Sequence, residues 1–213
     1  MLIQKEPILL ARYSYGPMDN FQYILGDPHS QEGIFIDPGW EGTKLAAHMR
    51  DLQLTPTAIL LTHGHYDHVM GIGDILSVYP ELPVYISDKE HPLYLGKLPY
   101  YTAINPEAMG VGGIPISVFE TPGHSPGSVC FHVGSYLFVG DTVFVEGCGR
   151  MDLPGGDGKA LYDSIQSLKL FPDDTKILSG HDYGYSPMVT MRELKEKNWV
   201  FSDRAKAYFL GPS

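Results

Sequence analysis

The chain has 213 residues, 43% of them hydrophobic, with 24 Gly and 17 Pro, which suits one compact domain over residues 1–213 with a sizeable core and many turns. Fifteen Lys and Arg against 25 Asp and Glu give a formal charge of −10, a balance that argues against phosphate backbones or anionic lipid, and so against nucleic acid or a membrane, as partners. Part of that acidity is what the ligands of bound divalent cations would carry.

The first segment, MLIQKEPILLARYSYG, is apolar in patches broken by Lys5, Glu6 and Arg12. It lacks the apolar core and small-residue cleavage site of a secretory leader, and no later run approaches a membrane span. Strand-like runs come next: PILLARY, FQYILG and GIFIDPG, the last closing in a Pro-Gly turn. Leu45, Met49 and Leu52 recur at helical spacing and predict a helix from Thr43 to Leu52. AILL then reads as a buried strand, IGDILSVY as a helix and PVYIS as a strand. Ile114, Ile116 and Val118 alternate like a half-buried strand, followed by VCFHV and the continuous apolar run YLFVG. Leu161, Ile165 and Leu168 predict a second clear helix, KIL a last strand, and TMRELKEKN a charged helix. Roughly ten strands and about four helices predict an α/β or α+β layered domain built on two sheets rather than one. With only Cys130, in a strand, and Cys148, in a Gly-rich loop, no disulfide framework is expected and the cytoplasm is the expected location.

Four of these apolar runs deliver polar groups just past their C-terminal ends. AILL runs into Thr62, His63, Gly64, His65, Tyr66, Asp67 and His68; ISVFE into TPGHSPGS with His124; YLFVG into Asp141; KILSG into His181. Strands sharing a sheet edge would make these groups converge. His63 and His65, at i and i+2, project to the same side of an extended segment. Gly64 between them lets the backbone turn, and Asp67 and His68 fall where the chain enters a helix. Imidazole and carboxylate without thiolate suit zinc, manganese or iron. The candidate ligands are therefore His63, His65, Asp67, His68, His124, Asp141 and His181, enough for two ions sharing one carboxylate with positions open for water or substrate. His29, His48, His91 and His132 lack such company and are expected to be surface or structural groups. Cys148, a Gly-flanked loop thiol, stays outside the set, and no Gly-x-Ser-x-Gly elbow competes for a nucleophile's role.

THGHYDH resembles the His-x-His-x-Asp-His signature of the metallo-β-lactamase fold superfamily. FIDPG before it, and TPGHSPGSV, LFVGDTVF and SGHDYG after it, stand in the order of that family's other motifs, so the resemblance covers nearly the whole chain. GDTVF and GCGRMDLPGGD are similar to the glyoxalase II-like, or hydroxyacylglutathione hydrolase-like, branch, which includes thioester hydrolases and mononuclear iron persulfide dioxygenases. The resemblance implies an α+β fold, an αββα four-layer sandwich with the metal site on one edge between the sheets. It implies that His63, His65 and His124 hold a first ion, Asp67, His68 and His181 a second, and that Asp141 bridges them. Asp37 matches a position that orients a ligand imidazole; an Asp opening the Pro-Gly turn is the other reading. Arg150 and Asp152 are expected to pair and shape a loop.

The expected cofactors are thus two divalent metal ions, zinc first, with iron or manganese as alternatives, and the expected substrate is a small molecule. Two ions about 3.5–4 Å apart lower the pKa of a shared water and polarise a carbonyl. Metal-bound hydroxide would attack a thioester, whose thiolate leaves without strong acid, and Asp67 would relay the proton as the catalytic residue. A persulfide dioxygenase needing only His63, His124 and Asp141, and a lactonase or β-lactamase-type hydrolase, are the alternatives. Typical glyoxalase II enzymes carry a further C-terminal helical region that holds glutathione; here residues 182–213 follow His181, a departure from that pattern that bears on S-lactoylglutathione itself as the expected substrate. Residues 91–113, rich in Tyr, Pro and Gly, read either as a substrate lid or as a packed surface excursion or dimer contact. Lys97, Tyr100, Tyr101 and Tyr183 are the expected substrate contacts.

Overall fold

The structure, a computed structural model, describes residues 1–4 and 8–211. Pro7, the first residue of the PILLARY run, lies outside the described residues, as do Lys5 and Glu6. A first sheet holds seven strands in spatial order: β1 (Leu2–Gln4), β2 (Leu9–Tyr15), β3 (Asn20–Asp27), β4 (Glu32–Ile36), β5 (Thr55–Leu60), β6 (Val84–Ile86) and β7 (Thr102–Ala103). Its pairs are antiparallel from β1 to β4 and parallel from β4 to β7. The parallel steps need crossovers, which α1 (Gly42–Asp51), α2 (Tyr66–Val69), α3 (Ile72–Val78) and α4 (Pro92–Leu95) supply. A small hairpin, β8 (Gly110–Val111) with β9 (Ile114–Pro115), leads to the second sheet. That sheet orders β10 (Ser117–Glu120), β11 (Val129–Val133), β12 (Tyr136–Gly140), β13 (Lys176–Ser179) and β14 (Val189–Thr190). Around its last strands pack α5 (Gly158–Leu168), α6 (Met191–Lys197) and α7 (Arg204–Leu210).

Period-two alternation assigns each strand residue to a layer. Along β3, Phe21, Tyr23 and Leu25 join Phe131 of β11 and Phe138 of β12 in a core between the sheets, while Ile24 turns outward to Leu45 and Met49 of α1 and Ile72 and Ile75 of α3. Along β12, Tyr136 and Phe138 face the first sheet, and Leu137 and Val139 face Leu161, Ile165 and Leu168 of α5. The three resulting cores are those of an αββα sandwich. Strands buried on both faces must be apolar at every position, which is why YLFVG and AILL read as unbroken apolar runs. Among the described residues no helix is long and apolar enough to cross a membrane.

Two details depart from the sequence reading. Ile114, Ile116 and Val118 do not share a strand: Ile114 sits in β9 and Val118 in β10, because Pro115 has no N–H with which to extend a ladder. The four-residue α4 is too short to show a helical period, and α7 is a further helix beyond the predicted ones, with Ala205 and Phe209 burying one face of it, while Asp67 and His68 do fall at the helix entry, in α2.

What positions the site is strand direction. β4 and β5 run parallel, as do β12 and β13, and β10 is two antiparallel steps from β12. Their C-terminal ends therefore collect at one edge of the sandwich. Backbone hydrogen bonds stitch the two sheets there: Phe21 N–H donates to Gly180 O at 2.8 Å and Val129 N–H to Thr62 O at 2.9 Å. Phe131 is fully buried in the inter-sheet core. Phe131→Ala is expected to cost about 3–5 kcal/mol in chemical denaturation, and a loss below about 1 kcal/mol would show that the sheets do not share that core.

Candidate metal centre

All seven candidate ligands meet at that edge, none more than 8% exposed. His65 is extended before α2, and the first turn of that helix carries Asp67 and His68. The ligating atoms of His63, His65 and His124 lie within 4.8 Å of one another, as do those of Asp67, His68 and His181. Asp141 stands between the groups. Its Oδ2 is 3.2 Å from His181 Nε2 and 3.5 Å from His124 Nε2, and its Oδ1 is 3.4 Å from His68 Nε2. Asp67 Oδ2 lies 3.3 Å from His181 Nε2 and 3.5 Å from His68 Nε2. Zinc–nitrogen bonds of about 2.0–2.1 Å at tetrahedral angles would set donor atoms roughly 3.3 Å apart, so these spacings fit a shared cation.

The hydrogen bonds behind the imidazoles decide which nitrogen faces inward. His124 Nδ1 donates to Arg150 O at 2.6 Å, and His181 Nδ1 to Met18 O at 2.7 Å. His68 Nδ1 donates to Asp37 Oδ2 at 3.2 Å. The Thr62 hydroxyl gives its proton to Asp37 Oδ2 at 2.6 Å, so at 3.1 Å it accepts from His63 Nδ1. All four rings are thereby held with Nε2 toward the centre, the arrangement by which outer partners fix a ligand's tautomer. His65 alone turns Nδ1 inward, 2.8 Å from His124 Nε2. Lone pairs at that distance repel unless a cation or proton lies between them.

Among the described residues, the buried side-chain polar atoms without a hydrogen-bond partner are Gln22 Nε2, His63 Nε2, His65 Nε2 and Asp141 Oδ1. Three of the four belong to the candidate set. An unsatisfied buried acceptor costs about 1–3 kcal/mol, a cost that a bound divalent ion would remove for His63 Nε2 and Asp141 Oδ1. The residues fit the group the motif implies.

The two halves differ in charge. Burial, then His68 beside it, holds His63 well below its ordinary pKa, and burial with His124 brings His65 down to about 4. Burial opposes charge on His181 and His68 too, but the carboxylates prevail: Asp141 and Asp67 raise His181 to about 9, and Asp141 and Asp37 raise His68 well above its usual range. In spite of burial, the same imidazoles hold Asp141 well below the carboxylate range and Asp67 at about 2.

Several residues that matter here escaped the sequence reading. Asn20 Nδ2 donates to Asp67 Oδ2 at 2.9 Å, and Trp40 Nε1 donates to Asn20 Oδ1 at 2.8 Å. Thr62 links Asp37 to His63, and Glu90 is buried behind the His63–His65 loop. Only Thr62 carried a signal, its place inside the motif. Asp37 both orients His68 and opens the turn, so its two readings are one: its φ of 49° throws the carboxylate back onto Thr62. Gly64 has no positive φ; a Cβ there would instead meet Tyr94 Cβ at 2.8 Å, so space and not turning demands glycine. Arg150 and Asp152 pair at 2.7 Å as expected.

The centre opens into a cleft of about 770 Å³, walled by Met18, Tyr66, Leu93, Tyr94, Phe144 and Tyr183, with Lys97 and Cys148 also on its surface. Of the expected contacts, Lys97 and Tyr183 line it. Tyr100 and Tyr101 do not: the Tyr100 hydroxyl donates to Leu82 O at 2.8 Å, and Tyr101 faces solvent. Residues 91–113 divide accordingly, the turn of α4 bordering the cleft and the stretch from Ala108 to Gly113 lining a second cavity beside β5. Burial lifts the Cys148 thiol to about 11. His48 stacks on Tyr13, His91 caps α4, His132 packs on Phe119 and Phe171, and His29 is exposed, and none of them belongs to the grouped metal-binding sets.

At pH 7 a metal-free site with these shifts is protonated at His68 and His181 and neutral at His63 and His65. Filling both sides with zinc is expected to release protons from the Asp67–His68–His181 side, and less as the pH passes about 9, where His181 is already neutral. Titration calorimetry in buffers of different ionisation enthalpy reads this directly; uptake with no proton release at pH 7 would contradict the charge assignment.

Over residues 15–181 the sequence matches the metallo-β-lactamase superfamily. It is 33% identical over 193 residues to the "Probable polyketide biosynthesis zinc-dependent hydrolase BaeB" of Bacillus velezensis, covering 90% of this chain and 85% of that protein. It is 34% identical over 180 residues to the hydroxyacylglutathione hydrolase of Edwardsiella ictaluri, covering 84% and 68%. The fold superposes on the crystal structure of TTHA1623 in a di-iron-bound form with a TM-score of 0.76 at 32% identity, covering 88% and 98%. Motifs, layers and relatives agree: the chain belongs to the metallo-β-lactamase superfamily and is one of its metal-dependent hydrolases.

Proposed function

We propose that this hydrolase cleaves thioesters of small thiols at a two-metal centre held by His63, His65 and His124 on one side, Asp67, His68 and His181 on the other, and Asp141 between them. The observation that carries the reading is the placement of three imidazole Nε2 atoms within 3.5 Å of the two oxygens of one buried carboxylate. Zinc is the proposed ion, in line with the name of the Bacillus velezensis relative. Two bound divalent ions supply a hydroxide near neutral pH and Lewis-acid polarisation of a carbonyl.

The remaining work falls to the chain. Asn20 fixes Asp67 Oδ2, leaving that carboxylate oriented beside the cleft as the acceptor for a proton released during attack. Tyr94, Phe144 and Leu93 exclude water from the acyl group. A thiolate is a good leaving group, so thioester cleavage needs no strong acid. Cys148 is held as a thiol and makes a poor nucleophile, which favours direct attack by solvent over a covalent route. Lys97 has no carboxylate partner among the described residues and would receive an acidic group on the thiol. Both cysteines are free, which supports the cytoplasm as the proposed location.

Protein purified without added metal is expected to contain close to two divalent ions per chain and to turn over thioesters in preference to lactones and phosphodiesters. His65→Ala is expected to lose metal and at least about a hundredfold in kcat; a variant keeping both would overturn the site. One iron per chain with oxygen uptake on glutathione persulfide would replace hydrolysis by the dioxygenase reading. Asp67→Asn is expected to lower kcat about a hundredfold or more in the steady state, and parental turnover would remove Asp67 from proton transfer. Lys97→Ala is expected to raise KM about tenfold for thioesters whose thiol carries a carboxylate and not for neutral ones; equal effects on both would dismiss the contact.

A further inference from the structure

Glu90 follows β6 and is 2% exposed, yet among the described residues no Lys, Arg or His pairs with it. Its carboxylate is satisfied by three donors. Oε2 accepts the Gly64 N–H at 3.0 Å and the Ser125 hydroxyl at 2.7 Å, and Oε1 accepts the His91 N–H at 2.7 Å. Gly64 lies between His63 and His65, and Ser125 directly follows His124. One oxygen atom thus ties together the two loops that carry three candidate ligands, although they come from different sheets.

The packing leaves this clamp little play. A Cβ on Gly127 would lie 2.5 Å from Glu90 Cα, and one on Gly64 would lie 3.1 Å from Glu90 Cγ, so both glycines let their loops close onto the glutamate. Ser128 Oγ accepts from Ser125 N–H at 3.2 Å and lies 2.8 Å from Ser125 Oγ. With the Ser125 proton given to Glu90, the Ser128 hydroxyl donates to Ser125, and the chain of donors runs one way. Tyr94, one turn on, sets its ring perpendicular to His65 at 4.6 Å and ties its hydroxyl to Pro154 O at 3.2 Å. The other half of the centre is held without Glu90: Asn20 on Asp67, Asp37 on His68 and the Met18 carbonyl on His181.

We propose that Glu90 is a positioning residue for the His63–His65–His124 half of the centre and for that half alone. The proposal rests on the two-metal reading above. A buried carboxylate oxygen, Oε2, whose two hydrogen bonds both run to ligand-bearing loops sets the spacing of the three imidazoles, and through it their affinity for an ion; outer partners of this kind are typically worth about 10–100-fold in metal affinity.

The test titrates Co(II) alone into the metal-free full-length protein, read by visible absorption and by chelator competition. Glu90→Ala is expected to weaken one of two Co(II) equivalents by about 10–100-fold and to shift its visible bands, leaving the other equivalent within about twofold of the parent. Glu90→Gln, which keeps an acceptor oxygen for Gly64 and Ser125, is expected to recover most of that loss, and Ser125→Ala to lose a smaller part of the same equivalent. Should Glu90→Ala not fold, these two variants carry the decision. Parental affinities and bands, or an equal weakening of both equivalents, would overturn the proposal, the second result marking Glu90 as a brace of the fold only. A parent protein that takes up no Co(II) would instead defeat the two-metal reading itself.

Discussion

The structure is organised around one expensive act, the burial of Asp141 among imidazoles. A carboxylate removed from water needs opposite charge and hydrogen bonds, and here it faces His68, His124 and His181 at 3.2–3.5 Å. Without an ion, two of those rings keep protons to balance the carboxylates, while His63 and His65 stay neutral and their Nε2 atoms lack partners. The metal-free arrangement is therefore internally paired on one side and unsatisfied on the other. Bound divalent ions would ease both conditions together, replacing the protons and occupying the inward acceptors His63 Nε2 and Asp141 Oδ1.

Holding that arrangement requires a rigid rim, and the fold builds it from backbone. Nδ1 atoms are anchored on the carbonyls of Met18 and Arg150 and on the Asp37–Thr62 pair. Close approach does the rest. A Cβ on Gly39 would fall 1.7 Å from Asp67 O, and one on Gly180 would fall 2.2 Å from Asp141 Oδ1. Neither position admits a side chain without moving a candidate ligand, so these loops are specified by what they must not contain as much as by what they carry. The cleft beyond them is broad and lined by aromatic side chains, with Lys97 on its surface.

Much of this was readable beforehand. His63, His65, Asp67 and His68 announce themselves because ligand chemistry dictates both residue type and spacing within one turn of chain. His124, Asp141 and His181 are readable for a weaker reason, that each follows an apolar run. The two-sheet, strand-rich architecture follows from runs such as YLFVG that are apolar at every position. Glu90 and Asn20 were not readable, since an isolated Glu or Asn acquires its role only from partners 26 to 47 positions away. Tyr100 failed as a contact for the same reason: its hydroxyl is committed to Pro80 and Leu82.

The sequence by itself determined the inventory: which donors exist, which runs are buried on both faces, and where turns break them, all of which depend on local chemistry and short-range periodicity. Only the tertiary structure decided the meeting of the parts. Parallel and antiparallel pairing sends five strand ends to one edge, and hydrogen bonds across the sheets choose which nitrogen of each ring looks inward. Those are long-range relations, and a linear string of residues carries no direct record of them.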